Sequence, residues 1–305
     1  MTAHATPPRL NGFIRALESG KHALSLFAPC EVETAVELQG SAYDGIVFEG
    51  EHRGWDIRAL RDSLQYLLNR AQIAKSASLS PTVTPIARIP ANGVERNQFL
   101  AKQALDVGCY GVVWPHISTV AEAYNAVAAC RYPRLKDKPL YEPAGIRGDG
   151  PMQAARYWGL SLDEYYKRAD VWPLAPEGEI LVVIQIEDTQ GISNLPDILR
   201  DVPGIGVVLI GEGDLSQELG YPRQLEHPAV MAAKAEIVAI CKEHGVVVGH
   251  PHVGTSNMQE VVDQGYRFLM CAAPRSFGAL DKVRALAAGS AVASAETGTS
   301  AGSPH

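Results

Sequence analysis

The sequence predicts one (β/α)8 barrel, and three observations carry that expectation. Eight short apolar runs recur along the chain, nearly all alternating with segments of helical periodicity; β–α alternation of this kind marks a parallel sheet wrapped by helices. The runs are continuous, as in Ile180–Ile186 (ILVVIQI) and Gly206–Ile210 (GVVLI), which suits strands covered on both faces. Eight such units fall within about 270 residues, the usual size of a barrel. An open doubly wound sheet is the competing arrangement, but no glycine-rich phosphate motif favours a nucleotide-binding fold.

Taken in order, residues 1–20 read as a loose N-terminal arm ending in a short helix, Asn11–Ser19, and the barrel spans 21–288. His22–Phe27 is the first strand, Cys30–Leu38 a helix, and Gly45–Phe48 the second strand. Asp56–Ala74 carries Ile57, Leu60, Leu64, Leu67 and Leu68 at the spacing of an amphipathic helix. Thr84–Ile89 is the third strand, with Pro85 tolerable only near its start. Val94–Val107 is a helix stopped by Gly108, and Gly111–Trp114 is the fourth strand. Thr119 with Glu122 is a capping box opening Val120–Cys130. Arg131–Gly178 breaks the rhythm as an insertion rich in Pro, Gly, Lys and Tyr, with one helix, Leu162–Ala169, opened by Ser161 and Glu164. Strands five and six are Ile180–Ile186 and Gly206–Ile210, flanking a helical segment near Gln190–Leu199. Pro228–His244 is a helix, Val246–Gly249 and Arg267–Cys271 are the last strands, and Arg275–Ala288 is the last helix. The Ala/Ser/Gly/Thr-rich tail, 289–305, reads as disordered.

Composition narrows the function classes. Hydrophobic residues make up 46% of 305 and the net charge is -7, enough apolar surface for a core and the wrong sign for a nucleic-acid partner. No apolar run approaches the roughly 20 residues of a membrane span. Met1–Leu10 contains Pro7-Pro8 and no apolar h-region, so no signal peptide is expected. The five cysteines show no CxxC spacing and read as reduced thiols of a cytoplasmic protein.

In a barrel, chemistry belongs at the carboxyl ends of the strands. Polar residues gather there: Glu49, Glu51 and His52; Arg88; His116; Glu187 and Asp188; Asp214; His250 and His252. Each has a plain structural reading as well. Asp188 or Thr189 can cap the following helix, and Asp214 with Gln217 three residues on is itself an N-cap pattern that spacing alone favours over metal binding. His52 alone reads as a surface imidazole. Arg88 lies inside an apolar strand, where a buried guanidinium needs an anion, either a structural carboxylate or a substrate. The His250-Pro251-His252 spacing does not by itself make metal ligands.

Phe48–His52 (FEGEH), Ala87–Pro90 (ARIP), Gln185–Glu187 (QIE) and Gly211–Ser216 (GEGDLS), with Leu105–Gly108, Gly111–Pro115, Arg131–Pro133 and Pro143–Gly148 in the same order, resemble the HpcH/HpaI family of metal-dependent class II pyruvate aldolases. That family includes 4-hydroxy-2-oxo-heptane-1,7-dioate aldolase and macrophomate synthase. The resemblance runs from about His22 to Leu286 and implies a barrel of the phosphoenolpyruvate/pyruvate-binding type.

It also implies roles. Glu187 and Asp214 would hold a divalent cation (Mg2+, Mn2+ or Co2+), which takes oxygen ligands and retains water. Arg88 would stabilise the 2-oxo oxygen as an enolate, with Gln185 and Gly213 helping to seat the 2-oxo acid. His52 would be the general base, oriented by Glu49 where the family usually has Asp. The implied reaction cleaves or forms 4-hydroxy-2-oxo acids from pyruvate and an aldehyde through a metal-bound enolate. The implied assembly is a homo-oligomer, a hexamer exchanging C-terminal helices. Glu212 departs from the family pattern and must point away or be paired with a cation if pyruvate is to bind. The insertion Arg134–Glu142 and the His250–His252 rim also depart from it. Alternatives are a CoA-ester lyase of the citrate or malyl-CoA type, an oxaloacetate-decarboxylating enzyme and a silent 2-oxo-acid-binding protein.

Overall fold

The computed structural model describes residues 8–90, 93, 95, 98–271 and 278–287. Its strands are β1 (Ala23–Ser25), β2 (Phe27–Ala28), β3 (Gly45–Glu49), β4 (Thr84–Arg88), β5 (Gly111–Trp114), β6 (Val171–Trp172), β7 (Ile180–Ile186), β8 (Val207–Ile210), β9 (Val247–Val253) and β10 (Phe268–Cys271). All pairings are parallel, in the order β1-β10-β9-β8-β7-β5-β4-β3-β2, and β6 pairs only with β7. β1 and β2 form one strand interrupted at Leu26. Through it the sheet closes, since Asp44 N–H donates to Leu24 O at 3.0 Å and Val47 N–H to Leu26 O at 2.9 Å. Every residue of β3, β4, β5, β7, β8 and β10 is buried, as continuous apolar runs require. The eight-position barrel is the expected fold.

The helices between strands are α1 (Gly12–Glu18), α2 (Val32–Leu38), α3 (Ile57–Leu67), α4 (Arg70–Ser76), α5 (Gln98–Val107), α6 (Val120–Ala129), α7 (Met152–Trp158), α8 (Leu162–Arg168), α9 (Thr189–Asp201), α10 (Glu212–Glu218), α11 (Pro228–Glu243), α12 (Met258–Asp263) and α13 (Gly278–Ala287). The capping boxes opening α6 and α8 are both formed. Several boundaries differ from expectation. The helix expected over Asp56–Ala74 is broken: Leu68 is extended and Asn69 caps α4 through Gln72 N–H. β9 runs on through His250 and His252, which therefore lie within a strand rather than after it. α7 and α12, both short, were not expected, and α10 starts at Glu212, ahead of the position that the Asp214 cap pattern implied. The 289–305 tail and part of the 275–288 helix lie outside the described residues.

The N-terminal segment is packed from Leu10 onward. Asn11 is fully buried and caps α1, while its amide donates to Tyr110 O and Glu179 O at 3.1 and 3.0 Å. The Glu179 carboxylate accepts from Leu10 and Asn11 N–H. α1 thus sits at the amino ends of β5 and β7 and leaves the opposite rim free for chemistry.

Candidate active site

Strand register brings the first pair together. Glu49 ends β3 directly opposite Arg88 at the end of β4, and both are buried. Arg88 Nε donates to Glu49 Oε1 at 3.1 Å and Nη2 to Oε2. Nη1 lies 2.8 Å from Glu51 Oε2 and donates to Gln185 Oε1 at 3.3 Å. The guanidinium also stacks on the Phe27 ring, 4.2 Å from its centroid. Arg88 therefore has structural carboxylates, and the fork that binds them is what a lysine could not reproduce.

This arrangement corrects one expectation. Glu49 does not orient the His52 ring: its Oε1 accepts from the backbone N–H of Glu51 and His52 at 2.7 and 3.3 Å. Arg88, facing it in register, claims the rest of the carboxylate. The His52 ring is 64% exposed and its near neighbour is Glu51, 3.6 Å from Nε2.

β7 delivers the second group. Gln185 and Glu187 are two residues apart and so share a face of the strand, and the Gln185 amide donates to Glu187 Oε1. Glu187 Oε2 is buried without a hydrogen-bond partner, although His116 Nδ1 lies 3.1 Å away. His116 follows β5 in the left-handed region, φ 51, a costly conformation for a residue with a Cβ. Gly93 N–H to His116 O (3.2 Å) and Ile117 N–H to Gln185 O (3.1 Å) hold this turn. His116 Nε2 is 3.5 Å from Glu51 Oε1.

Asp214 completes the cluster from α10. It does not cap that helix: α10 begins at Glu212 with Gly211 as N-cap, which overturns the capping reading. Asp188 does cap α9, accepting from Gly191 N–H. His116, Glu187 and Asp214 bring one potential ligand atom each within 4.8 Å of one another. Burial, opposed by His116, pushes Glu187 up to about 7. Contact with Glu51, and then the charges of Glu187 and Asp214, lift His116 to about 9 against its own burial. Three carboxylates with an unsatisfied buried oxygen among them call for positive charge. An oxygen-preferring divalent cation fits this donor set.

Glu212 is paired, one of the two arrangements expected if pyruvate is to bind. Its Oε2 accepts from Lys234 Nζ at 2.7 Å and its Oε1 lies 2.6 Å from His252 Nδ1. Burial opposes its charge, but His252 and Lys234 outweigh burial and hold it down at about 2. A cavity of about 200 Å³ joins these groups, with His52, Arg88, Gln185, Gly213, Asp214 and His252 on its walls.

Five of the expected site residues, His52, Arg88, Gln185, Gly213 and Asp214, therefore line one cavity, with Glu49 and Glu187 in contact with Arg88 and Gln185. Glu51 and His116 were visible in the sequence only as polar residues at strand ends. The place of His116 depends on a turn with positive φ, which no residue type announced.

The chain is similar to several known proteins. The family model described as HpcH/HpaI aldolase/citrate lyase matches residues 24–273. The hydroxypyruvate/pyruvate aldolase of Roseobacter denitrificans is 29% identical over 267 residues, 87% of this chain and 92% of the relative. The 4-hydroxy-2-oxo-heptane-1,7-dioate aldolase of Escherichia coli is 31% identical over 240 residues, 78% of this chain and 79% of that one. A crystal structure of an HpcH/HpaI aldolase/citrate lyase family protein from Burkholderia cenocepacia superposes with a TM-score of 0.70 at 26% identity, covering 92% of this chain and 96% of the other. The chain belongs to the HpcH/HpaI aldolase/citrate lyase family.

Proposed function

We propose that this protein is a divalent-metal-dependent lyase that makes or breaks the C3–C4 bond of 4-hydroxy-2-oxo acids, with pyruvate as one product. The observation that carries the proposal is the buried, unsatisfied Glu187 Oε2 beside Asp214, His116, Gln185 and Arg88 at the carboxyl end of a barrel. Glu187 and Asp214 would hold Mg2+, Mn2+ or Co2+, with His116 close enough to join them. When bound, the cation supplies Lewis-acid polarisation of the 2-oxo acid.

The remaining work falls to the chain. Arg88, fixed by Glu49, Glu51 and Gln185, donates to the 2-oxo oxygen and stabilises the negative charge that develops there. Gln185 orients both Arg88 and Glu187. The first-turn amides of α10, Gly213 among them, lack intrahelical partners and receive the substrate carboxylate. His52, open to water beside Glu51, takes the proton of the 4-hydroxyl during cleavage and returns it during synthesis. Pairing of Glu212 with Lys234 removes the repulsion that a free carboxylate would exert on pyruvate.

The test is exchange of pyruvate methyl protons with D2O, followed by NMR. Exchange should occur with Mg2+, stop with EDTA and return on adding Mg2+ back. No exchange by the Mg2+-loaded protein overturns the proposal.

A further inference from the structure

The reaction as proposed leaves one feature of the cavity idle. His252, on β9, has its Nδ1 2.6 Å from Glu212 Oε1, and the other oxygen of that carboxylate is held by Lys234. Glu212 is 2% exposed and Lys234 8%, whereas the His252 side chain is 59% exposed. The anchor is buried and the ring it holds is open to the cavity. The backbone is held as well: Asn257 Nδ2 donates to His252 O at 2.9 Å, and His252 N–H to His250 Nδ1 at 3.2 Å.

The carboxylate fixes the tautomer. An ionised carboxylate only accepts, so the proton of the neutral ring sits on Nδ1 and Nε2 keeps its lone pair. Nε2 therefore offers an acceptor to any hydroxyl that approaches. His252 also borders a second cavity of about 470 Å³, which shares Phe27 and Pro251 with the first and adds Ser256, Asn257 and Cys271. No lysine, arginine or carboxylate is among the described residues lining that second cavity. Its described walls are uncharged apart from His252 and suit an uncharged, hydrogen-bonding group; the arginines Arg88 and Arg223 line the first cavity.

We propose that His252 determines specificity for the electrophile half of the reaction, selecting an uncharged hydroxyaldehyde by accepting a hydrogen bond at Nε2 from its hydroxyl group. Glu212 and Lys234 are positioning residues for that contact. The inference rests on the aldolase reading above.

The experiment compares kcat/KM for glycolaldehyde and propionaldehyde, near isosteres that exchange a hydroxyl for a methyl, in Mg2+-loaded protein with pyruvate. The ratio, taken within each protein, cancels any general loss of activity, and its change on mutation cancels the aldehydes' intrinsic difference in reactivity. His252→Ala should lower the glycolaldehyde preference by about five- to tenfold, the size of one net hydrogen bond. An unchanged or increased preference in His252→Ala overturns the inference. So does a higher kcat/KM for succinic semialdehyde than for glycolaldehyde in the unmodified protein. Methyl-proton exchange of pyruvate separates the two levels: its absence overturns reading and inference together, and exchange with an unchanged ratio overturns the inference alone.

Discussion

At the scale of single residues, the site is a balance of buried charges. Glu187 is pushed up to about 7 by burial and by its acidic neighbours, despite His116, so a cation beside it converts a costly charge into a favourable one. Glu187→Gln and Asp214→Asn should each weaken Mg2+ binding at least tenfold by calorimetry; full affinity in both variants would remove them as ligands. Arg88 carries a different load. Its three nitrogens reach Glu49, Glu51 and Gln185, and an ammonium presents no such planar fork. Arg88→Lys should therefore slow pyruvate methyl exchange by about 100-fold or more, with Mg2+ affinity changed far less. Equal losses in both would make Arg88 a structural support of the metal site.

At the scale of elements, the sequence was most informative where a run is long or a cap is explicit. β7, α6 and α8 lie close to their expected positions because continuous β-branched runs and Ser/Thr-x-x-Glu boxes are local signals. The break at Leu68-Asn69 was hidden because apolar spacing continues across it, and the early start of α10 was hidden because Gly211–Asp214 contains two glycines. The Glu49–Arg88 pair is a property of register between strands 39 residues apart, which no local pattern encodes. Of the site, Glu187, Asp214, Arg88 and Gln185 were legible through motif resemblance. His116 was not, because its position depends on a left-handed turn.

Glu212 ties α10 to α11 and β9 through Lys234 and His252, and this tie has a pH signature. Its folded-state pKa, about 2, lies below the ordinary 4.5. The stabilisation is therefore complete above about pH 4.5 and is lost as pH falls toward 2. Glu212→Gln should cost on the order of 2–3 kcal/mol at pH 7. In urea unfolding the variant and the parent should converge as the medium is acidified through that window; a gap independent of pH would assign the loss to packing.

At the scale of the molecule, the two ends of the barrel divide the labour. α1, Asn11 and Glu179 bind the amino ends of the strands together, and the carboxyl ends hold the charged cluster. The seam of the barrel is its first strand, which pairs through β1 with the last strand and through β2 with the second. It is held by short pairings, three residues of β1 with β10 and two of β2 with β3. At its carboxyl end Phe27 packs against the guanidinium of Arg88.

That stacking couples ligand binding to local opening. If the seam parts, Phe27 leaves and Arg88 loses one wall of its support, so the open form should bind a 2-oxo acid less well than the closed form. A ligand that favours the closed form must then slow exposure of the seam's amides by mass action. Pyruvate with Mg2+ should therefore slow hydrogen–deuterium exchange across 24–28, more than 150 residues in sequence from Glu187 and Asp214. Protection limited to the strand ends around Glu187 and Asp214 would show that the seam opens independently of the site.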